Sequence, residues 1–308
     1  MHVNVTYRNG MNAPRRCFWS GGVSLMAAFL AMVLITLISA SCDYVEVPNN
    51  VVCPPSIDGL RTVAFAGRCW QVRRSSQPEQ SGPNYFSDDR RDVWVDAQNN
   101  LHLKISHRDG KWLCTEVFTK GGLGYGTYEF RLSGYVDRMD PNVVLGMFTW
   151  NDNASQIGAL SEIDIEIARW GHPTRPNLNY SVQPLYGPDD PDGSYRERSK
   201  SFDFVLSEPK STHLFDWRPD RIVFLGYRGY ADWYAQFGNW TFTSDNPPRR
   251  SPEPQLPNPV VIPAPSATTT VRIDLWLKDV SNGGIGSPPT SGQDVEVVVE
   301  DFRFTPSP

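Results

Sequence analysis

The sequence lacks a basic patch, a Cys/His spacing of the kind that holds a metal, an internal repeat and a convincing amphipathic helix. With 29 Lys and Arg against 34 Asp and Glu, nothing reads as a nucleic-acid footprint, so no nucleic acid is expected as partner. No motif for a cofactor or metal is evident, and the expected cofactor list is empty. Cysteine is scarce, at five residues. Of these, Cys53, Cys69 and Cys114 fall in the body of the chain. In an oxidising compartment two of the three can pair, and an odd count does not say which. Long apolar runs are also rare: Val23 to Ala40 is the one uncharged, largely apolar stretch of such length.

That stretch follows Arg15 and Arg16 and ends in "ISASC", closing at Cys42. Small residues before a cysteine resemble the lipobox of bacterial lipoproteins. The resemblance implies a signal peptide over residues 1–41, cleavage before Cys42 and lipidation of its thiol. Met11 is an alternative start, because "MNAPRR" is a more usual n-region than the ten residues before it. An uncleaved membrane anchor and ordinary secretion stay open as alternatives, and 18 apolar residues approach a spanning length. All three readings put the rest of the chain outside the cytoplasm, as a membrane-anchored protein of the periplasm or cell surface in the first two. From residue 42 onward the formal charge is 26 − 34 = −8.

Aromatics supply 12 % of the chain, and 24 Gly with 26 Pro punctuate it densely, which suits a core built from many short strands. Residues 42–58 are polar, contain proline and lack periodicity, as a tether does. Residues 59–308 read as one domain. Strand signals run from "VWVDAQNNLHLKIS" and "WLCTEVFTK" through "YGTYEFRLSGYV", "VVLGMFTW", "EIDIEIARW", "NYSVQP", "FDFVLS", "THLFDW", "RIVFLGYR", "WYAQF" and "VRIDLWL" to "VEVVVEDFRF". Ten or more short strands with turn residues between them predict an all-β sandwich. Residues 244–270 hold eight prolines between Pro247 and Pro265, and proline cannot donate to a ladder, so a long loop insertion between two strands is expected there.

In "SEIDIEIARWG", Glu162, Asp164 and Glu166 alternate with Ile163, Ile165 and Ile167. Successive strand side chains point to opposite faces, so the acids share one face and the isoleucines anchor the other. Crowded like charges cannot all ionise easily: one carboxyl is driven to hold a proton while another stays charged. Glycoside hydrolysis uses that division between an acid and a nucleophile, about 5 to 5.5 Å apart in retaining enzymes. On a flat strand the Cα atoms of Glu162 and Glu166 would stand roughly 13 Å apart, so a curved strand in a groove is expected. A merely solvated acidic face is the competing reading.

The ordered surroundings favour chemistry. "EIDIE" resembles the active-site motif of family 16 glycoside hydrolases, jelly-roll sandwiches that include laminarinases, lichenases, agarases, carrageenases and xyloglucan transglycosylases. "GYGTYEFRL" resembles the family's Tyr-Gly, Glu and Arg segment, here Tyr125, Gly126, Glu129 and Arg131. "NYSVQP", "THLFDWRPDRIVF", "DLWL" and the closing "VEVVVEDFRF" follow in family order, over about residues 70 to 305. The resemblance implies a jelly roll of two antiparallel sheets with a concave cleft. It also implies an endo-acting, retaining glycosidase on a β-linked polysaccharide, with Glu162 as nucleophile, Glu166 as acid/base and Asp164 hydrogen-bonded to the nucleophile. "NYSV" leans toward glucan over galactan. A transglycosylase on the same intermediate and a non-catalytic sugar-binding lipoprotein are the alternatives. A structural calcium is known in the family, but no residues here point to one, and a monomer is expected.

Trp170 continues the even-numbered face and is a candidate sugar platform, as is Trp150 at a strand end before "NDNASQ". Asn179 is a candidate hydrogen-bonding partner for a sugar hydroxyl, Tyr125 for the cleft wall, and Trp276 for either cleft or core. Arg169 falls on the isoleucine face, where it marks the strand end or reaches a carboxylate. His213 reads as structural.

Overall fold

The computed structural model describes residues 51–54, 58–152, 161–183, 198–230, 235–243 and 262–308. The signal segment with Cys42, most of the tether and residues 244–261 of the proline-rich stretch lie outside these. Sixteen strands follow in order: β1 (Thr62–Phe65), β2 (Arg68–Val72), β3 (Tyr85–Phe86), β4 (Val93–Val95), β5 (Leu101–Arg108), β6 (Lys111–Thr119), β7 (Gly126–Ser133), β8 (Val143–Asn151), β9 (Ile163–Ala168), β10 (Leu178–Val182), β11 (Ser199–Phe202), β12 (Lys210–Trp217), β13 (Arg221–Arg228), β14 (Gln236–Thr243), β15 (Thr269–Leu277) and β16 (Val295–Pro306). Among the described residues the one helical element is a 3-10 turn at Val136–Arg138.

The strands form the two layers of an antiparallel jelly roll. One layer runs β11-β10-β9-β8-β15-β6, with β2 and β1 beyond β6. The other runs β5-β16-β7-β12-β13-β14, with β4 beside β5, and the β5–β6 hairpin joins them. Only the short β3 pairs in parallel, with β6. Alternation decides what lies between the layers. Ile163, Ile165 and Ile167 are 0, 0 and 1 % exposed, and Tyr180 of β10 stacks on Phe224 of β13 with ring centroids 4.9 Å apart. Trp70 of β2 meets Phe302 of β16 edge-on at 5.3 Å. Burial of such rings supplies the largest apolar areas of the core.

Cys53 and Cys69 form a disulfide, and Cys114 is free and buried. The bond ties a residue of the segment read as tether to β2. Three strands, β1 to β3, carried no signal strong enough to pick from the sequence, being two to five residues long. Two other expectations shift. In "FDFVLS" the strand is over at Phe202, because the following backbone bonds to side chains: Phe204 N–H donates to Asn177 Oδ1 at 2.9 Å and Leu206 N–H to Asp137 Oδ2 at 3.1 Å. The last strand of the β12–β14 group runs Gln236–Thr243, past the Phe237 at which "WYAQF" stops, since Trp240 and Phe242 alternate onto the core.

Candidate active site

Strand register carries the three acids of β9 into a transverse row on the face of their layer away from the isoleucines. Glu166 pairs with Gly146 of β8 and Asn179 of β10. Gly146 pairs in turn with Asp274 of β15, and Asp274 with Glu116 of β6. The next row holds Asp164, flanked by Phe148 of β8 and Ser181 of β10, with Arg272 beyond Phe148. Glu162 stands just before β9, and its carbonyl accepts from Gln183 N–H at 3.1 Å. The acid face therefore holds a fourth carboxylate, Asp274.

Gly146 makes room for it. A Cβ on Gly146 would stand 2.3 Å from Asp274 Oδ1, far inside van der Waals contact, so any side chain here would have to displace the carboxylate. Asp274 is 1 % exposed. Its Oδ2 accepts from Ser81 Oγ at 3.1 Å, while Oδ1 lies against Gly146 without a hydrogen-bonding partner. Asp164 is 4 % exposed, and its Oδ2 accepts from Ser181 Oγ at 2.7 Å and Gln183 Nε2 at 3.4 Å.

Burial sets the protonation of this face. It pushes Glu162 well above the usual carboxylate range, and the charges of Asp164, Glu166 and Asp274 push further. Glu166 is raised by burial, then by Asp164 and Asp274, against a modest opposing pull from Lys278. Asp164 is pushed up by burial to about 7, held back by hydrogen bonds from Ser181, Gln183 and Glu162. Asp164 and Glu162 thus share a hydrogen bond, and one proton between them leaves one negative charge. Chemically the cluster can hold an anionic Glu162–Asp164 pair beside a protonated Glu166.

The nearby arginines do not neutralise it. Arg73 and Arg272 each reach Glu116 at 2.6 Å, and Arg272 also reaches Asp152 at 2.6 Å. Among the described residues no ion pair involves Glu162, Asp164, Glu166 or Asp274, and no group of three His, Cys, Asp or Glu is arranged to hold a metal.

The other candidates fall into two groups. Trp150 is half-buried and lies on the acid face, paired with Thr270. Trp276 alternates onto that face with Arg272 and Asp274 and is 8 % exposed. Trp170 reaches it by another route: β9 ends at Ala168, Trp170 takes φ 56°, and its ring meets Trp276 edge-on at 6.1 Å. Alternation alone does not extend to Trp170. Asn179 spends its amide within the layer, donating to Ala168 O at 3.0 Å and accepting from Ser201 Oγ at 2.8 Å. Tyr125 sits at the start of the opposite layer, edge-on to Trp217 at 5.6 Å. Glu129 and Arg131, which bond each other at 2.8 Å, lie on the outer face of that opposite layer, away from the acids. Arg169 marks the strand end, its guanidinium donating to Arg175 O. His213 is fully buried, bonds Ser211 Oγ at 3.0 Å and is pushed by burial down to about 3, so it is neutral.

Sequence reasoning passed over Asp274, Glu116 and Gly146. The signal was present: in "VRIDLWL" and "CTEVF" a charged residue interrupts an apolar strand, and alternation puts Asp274 on the face of Arg272 and Trp276.

No family model matches the sequence, and no curated protein does either. Solved structures do. A pseudo β-1,3-glucanase and immunostimulatory antigen of Mycobacterium tuberculosis superposes with a TM-score of 0.54 at 22 % identity, over 78 % of this chain and 91 % of its own. The laminarinase catalytic domain of Thermotoga maritima gives 0.53 at 14 %, over 78 % and 92 %. A non-specific endo-β-1,3(4)-glucanase from glycoside hydrolase family 16 gives 0.51 at 14 %, over 76 % and 83 %. The chain shares their fold. At these identities the likeness speaks for the jelly roll alone, and one of the neighbours is a pseudo-enzyme, so the chemistry rests on the side chains.

Proposed function

We propose that this protein is a retaining, endo-acting glycoside hydrolase of a β-linked polysaccharide, with β-glucan the favoured substrate. The observation that carries the reading is the Glu162–Asp164–Glu166 face: three carboxyls buried together without a cation, which a structural role does not need and acid–nucleophile chemistry does. Glu162 attacks the anomeric carbon while Glu166 donates its proton to the departing glycosidic oxygen. Asp164 holds the shared proton, so that charge concentrates on Glu162 at attack. Glu166, now a carboxylate, then takes a proton from the water that releases the sugar. Trp150 and Trp170 offer flat apolar rings for sugar faces at the same surface.

A non-catalytic sugar-binding role is the second reading, favoured by the existence of a pseudo-glucanase among the fold's neighbours. Transfer to a second sugar instead of water is a variant of the first. Export and lipidation at Cys42 fit the Cys53–Cys69 disulfide, a bond of oxidising compartments.

The deciding experiment incubates the full-length protein and Glu162→Gln with laminarin, mixed-linkage glucan, agarose, carrageenan and xyloglucan. New reducing ends from the wild type alone, with β-anomers formed first by NMR, are expected. Equal sugar binding by both proteins with no reducing ends from any substrate would overturn the enzyme in favour of the binding module.

A further inference from the structure

Asp274 is the one carboxylate of the acid face that the mechanism above leaves without a task. It is too buried to touch a polysaccharide. Burying a carboxylate with an unpartnered oxygen is costly, and an asparagine or leucine would suit a purely structural place in β15 better. The site is instead arranged to keep it. Gly146 lies between Asp274 and Glu166 in the row, and only the absence of a side chain lets Asp274 Oδ1 lean over β8. That lean brings the oxygen about one strand spacing, roughly 5 Å, from the backbone that carries Glu166.

We propose, resting on the glycosidase reading, that Asp274 is a positioning residue. Its negative charge, aimed across Gly146, keeps the proton on Glu166 until the leaving oxygen takes it.

The neighbours of both groups are consistent with this. Glu166 is faced along β9 by Asp164 and Glu162, from β10 by the uncharged Asn179, and from the end of β15 by Lys278, which acts in the opposite sense. Asp274 is faced from β6 by Glu116 and Cys114, whose thiol burial keeps protonated. Glu116 is itself tied to Arg73 and Arg272. Arg73 and the Ser81 hydroxyl stabilise the Asp274 anion. Ser81 therefore sets how much charge Asp274 presents to Glu166.

The test is the pH dependence of kcat/KM of the full-length enzyme on its best polysaccharide, for wild type, Asp274→Asn and Ser81→Ala. The alkaline limb reports loss of the proton from the acid. Asp274→Asn removes a like charge, so Glu166 gives up its proton more readily and the limb moves to lower pH, by on the order of one unit. Ser81→Ala raises the proton affinity of Asp274, weakens the same field and moves the limb in the same direction by less. A merely structural role would lower stability and rate at every pH and leave the limb in place. If the wild type is active and the variants leave the alkaline limb where it was, the Asp274 assignment fails and the glycosidase stands. If the wild type itself releases no reducing ends at any pH, both fall together. Should Asp274→Asn not fold, the half-exposed Ser81 site still decides.

Discussion

Asp92 and Asp164 are both buried carboxylates, 0 % and 4 % exposed, and the fold treats them in opposite ways. Asp92, just before β4, accepts from Ser87 Oγ at 2.6 Å and Ser106 Oγ at 2.8 Å. Arg108 grips both its oxygens, one at 2.6 Å. Burial would raise its proton affinity, but the Arg108 and serine bonds win and hold it below the usual range. Asp164 has comparable neutral donors and no arginine, and there burial wins. The difference is not one of supply, because Arg73 and Arg272 stand on the acid face and bind Glu116 instead. A carboxylate kept for stability is given its cation; the acid face is left with frustrated protons. That is the physical mark of a working site.

Carboxamide substitutions separate the two centres most sharply. Glu166→Gln should lower kcat by about 10²–10⁴-fold on polysaccharide, the span of lost general acid–base catalysis. Glu162→Gln should cost more, since no covalent intermediate can form. Neither should lower the melting temperature at pH 8. A comparable fall in activity from Asp92→Asn without unfolding would break the comparison.

Asp92→Asn should instead destabilise the protein, by about 3 kcal/mol in denaturant unfolding, as expected when a buried ion pair loses one partner. Arg108 keeps a part-exposed side chain, which limits the cost to the lower end of that range. Activity per folded molecule should be unchanged.

The pH dependence of stability gives a third contrast. Asp164 is held near 7 when folded, against about 3.9 in an unfolded chain. The native state therefore binds this proton more tightly. Its penalty starts above about pH 4 and grows until about pH 7, by a few kcal/mol at most. Asp164→Asn removes it: melting temperatures of variant and wild type should nearly coincide at pH 4, with the variant ahead at pH 8. Asp92 has the opposite sign, its contribution present above the unfolded pKa and fading as acid protonates it.

How legible this was in the sequence follows from range. Alternation is local, and it sorted the β9 acids from the isoleucines correctly because a strand face needs only neighbours two residues apart. It also marked β4 to β8 and the late strands. It failed where backbone bonds go to side chains distant in sequence, as Phe204 does to Asn177. Asp274 was missed for a related reason. Its meaning depends on register with Gly146 and Glu166, residues more than 100 positions away, and no local pattern encodes a glycine that leaves room for another strand's carboxylate. The disulfide was open in the sequence because pairing depends on Cα separation in space, here 5.4 Å.

The smallest effect expected concerns the tryptophans, where the same division between core and face recurs. Trp217 is fully buried and donates its indole N–H to Pro263 O at 2.7 Å, so Trp217→Ala should cost about 3–5 kcal/mol of stability through the cavity it leaves. Trp170 is half-buried, held on a left-handed turn past the end of β9 with only its edge contact to Trp276. A ring serving the core would not be mounted beyond the strand that supports it. Trp170→Ala should therefore leave stability within about 1 kcal/mol while raising KM roughly fivefold at near-constant kcat, the pattern of lost uniform binding. Michaelis kinetics on soluble glucan with parallel melting curves reads both quantities, and a large stability loss with unchanged KM would return Trp170 to the core.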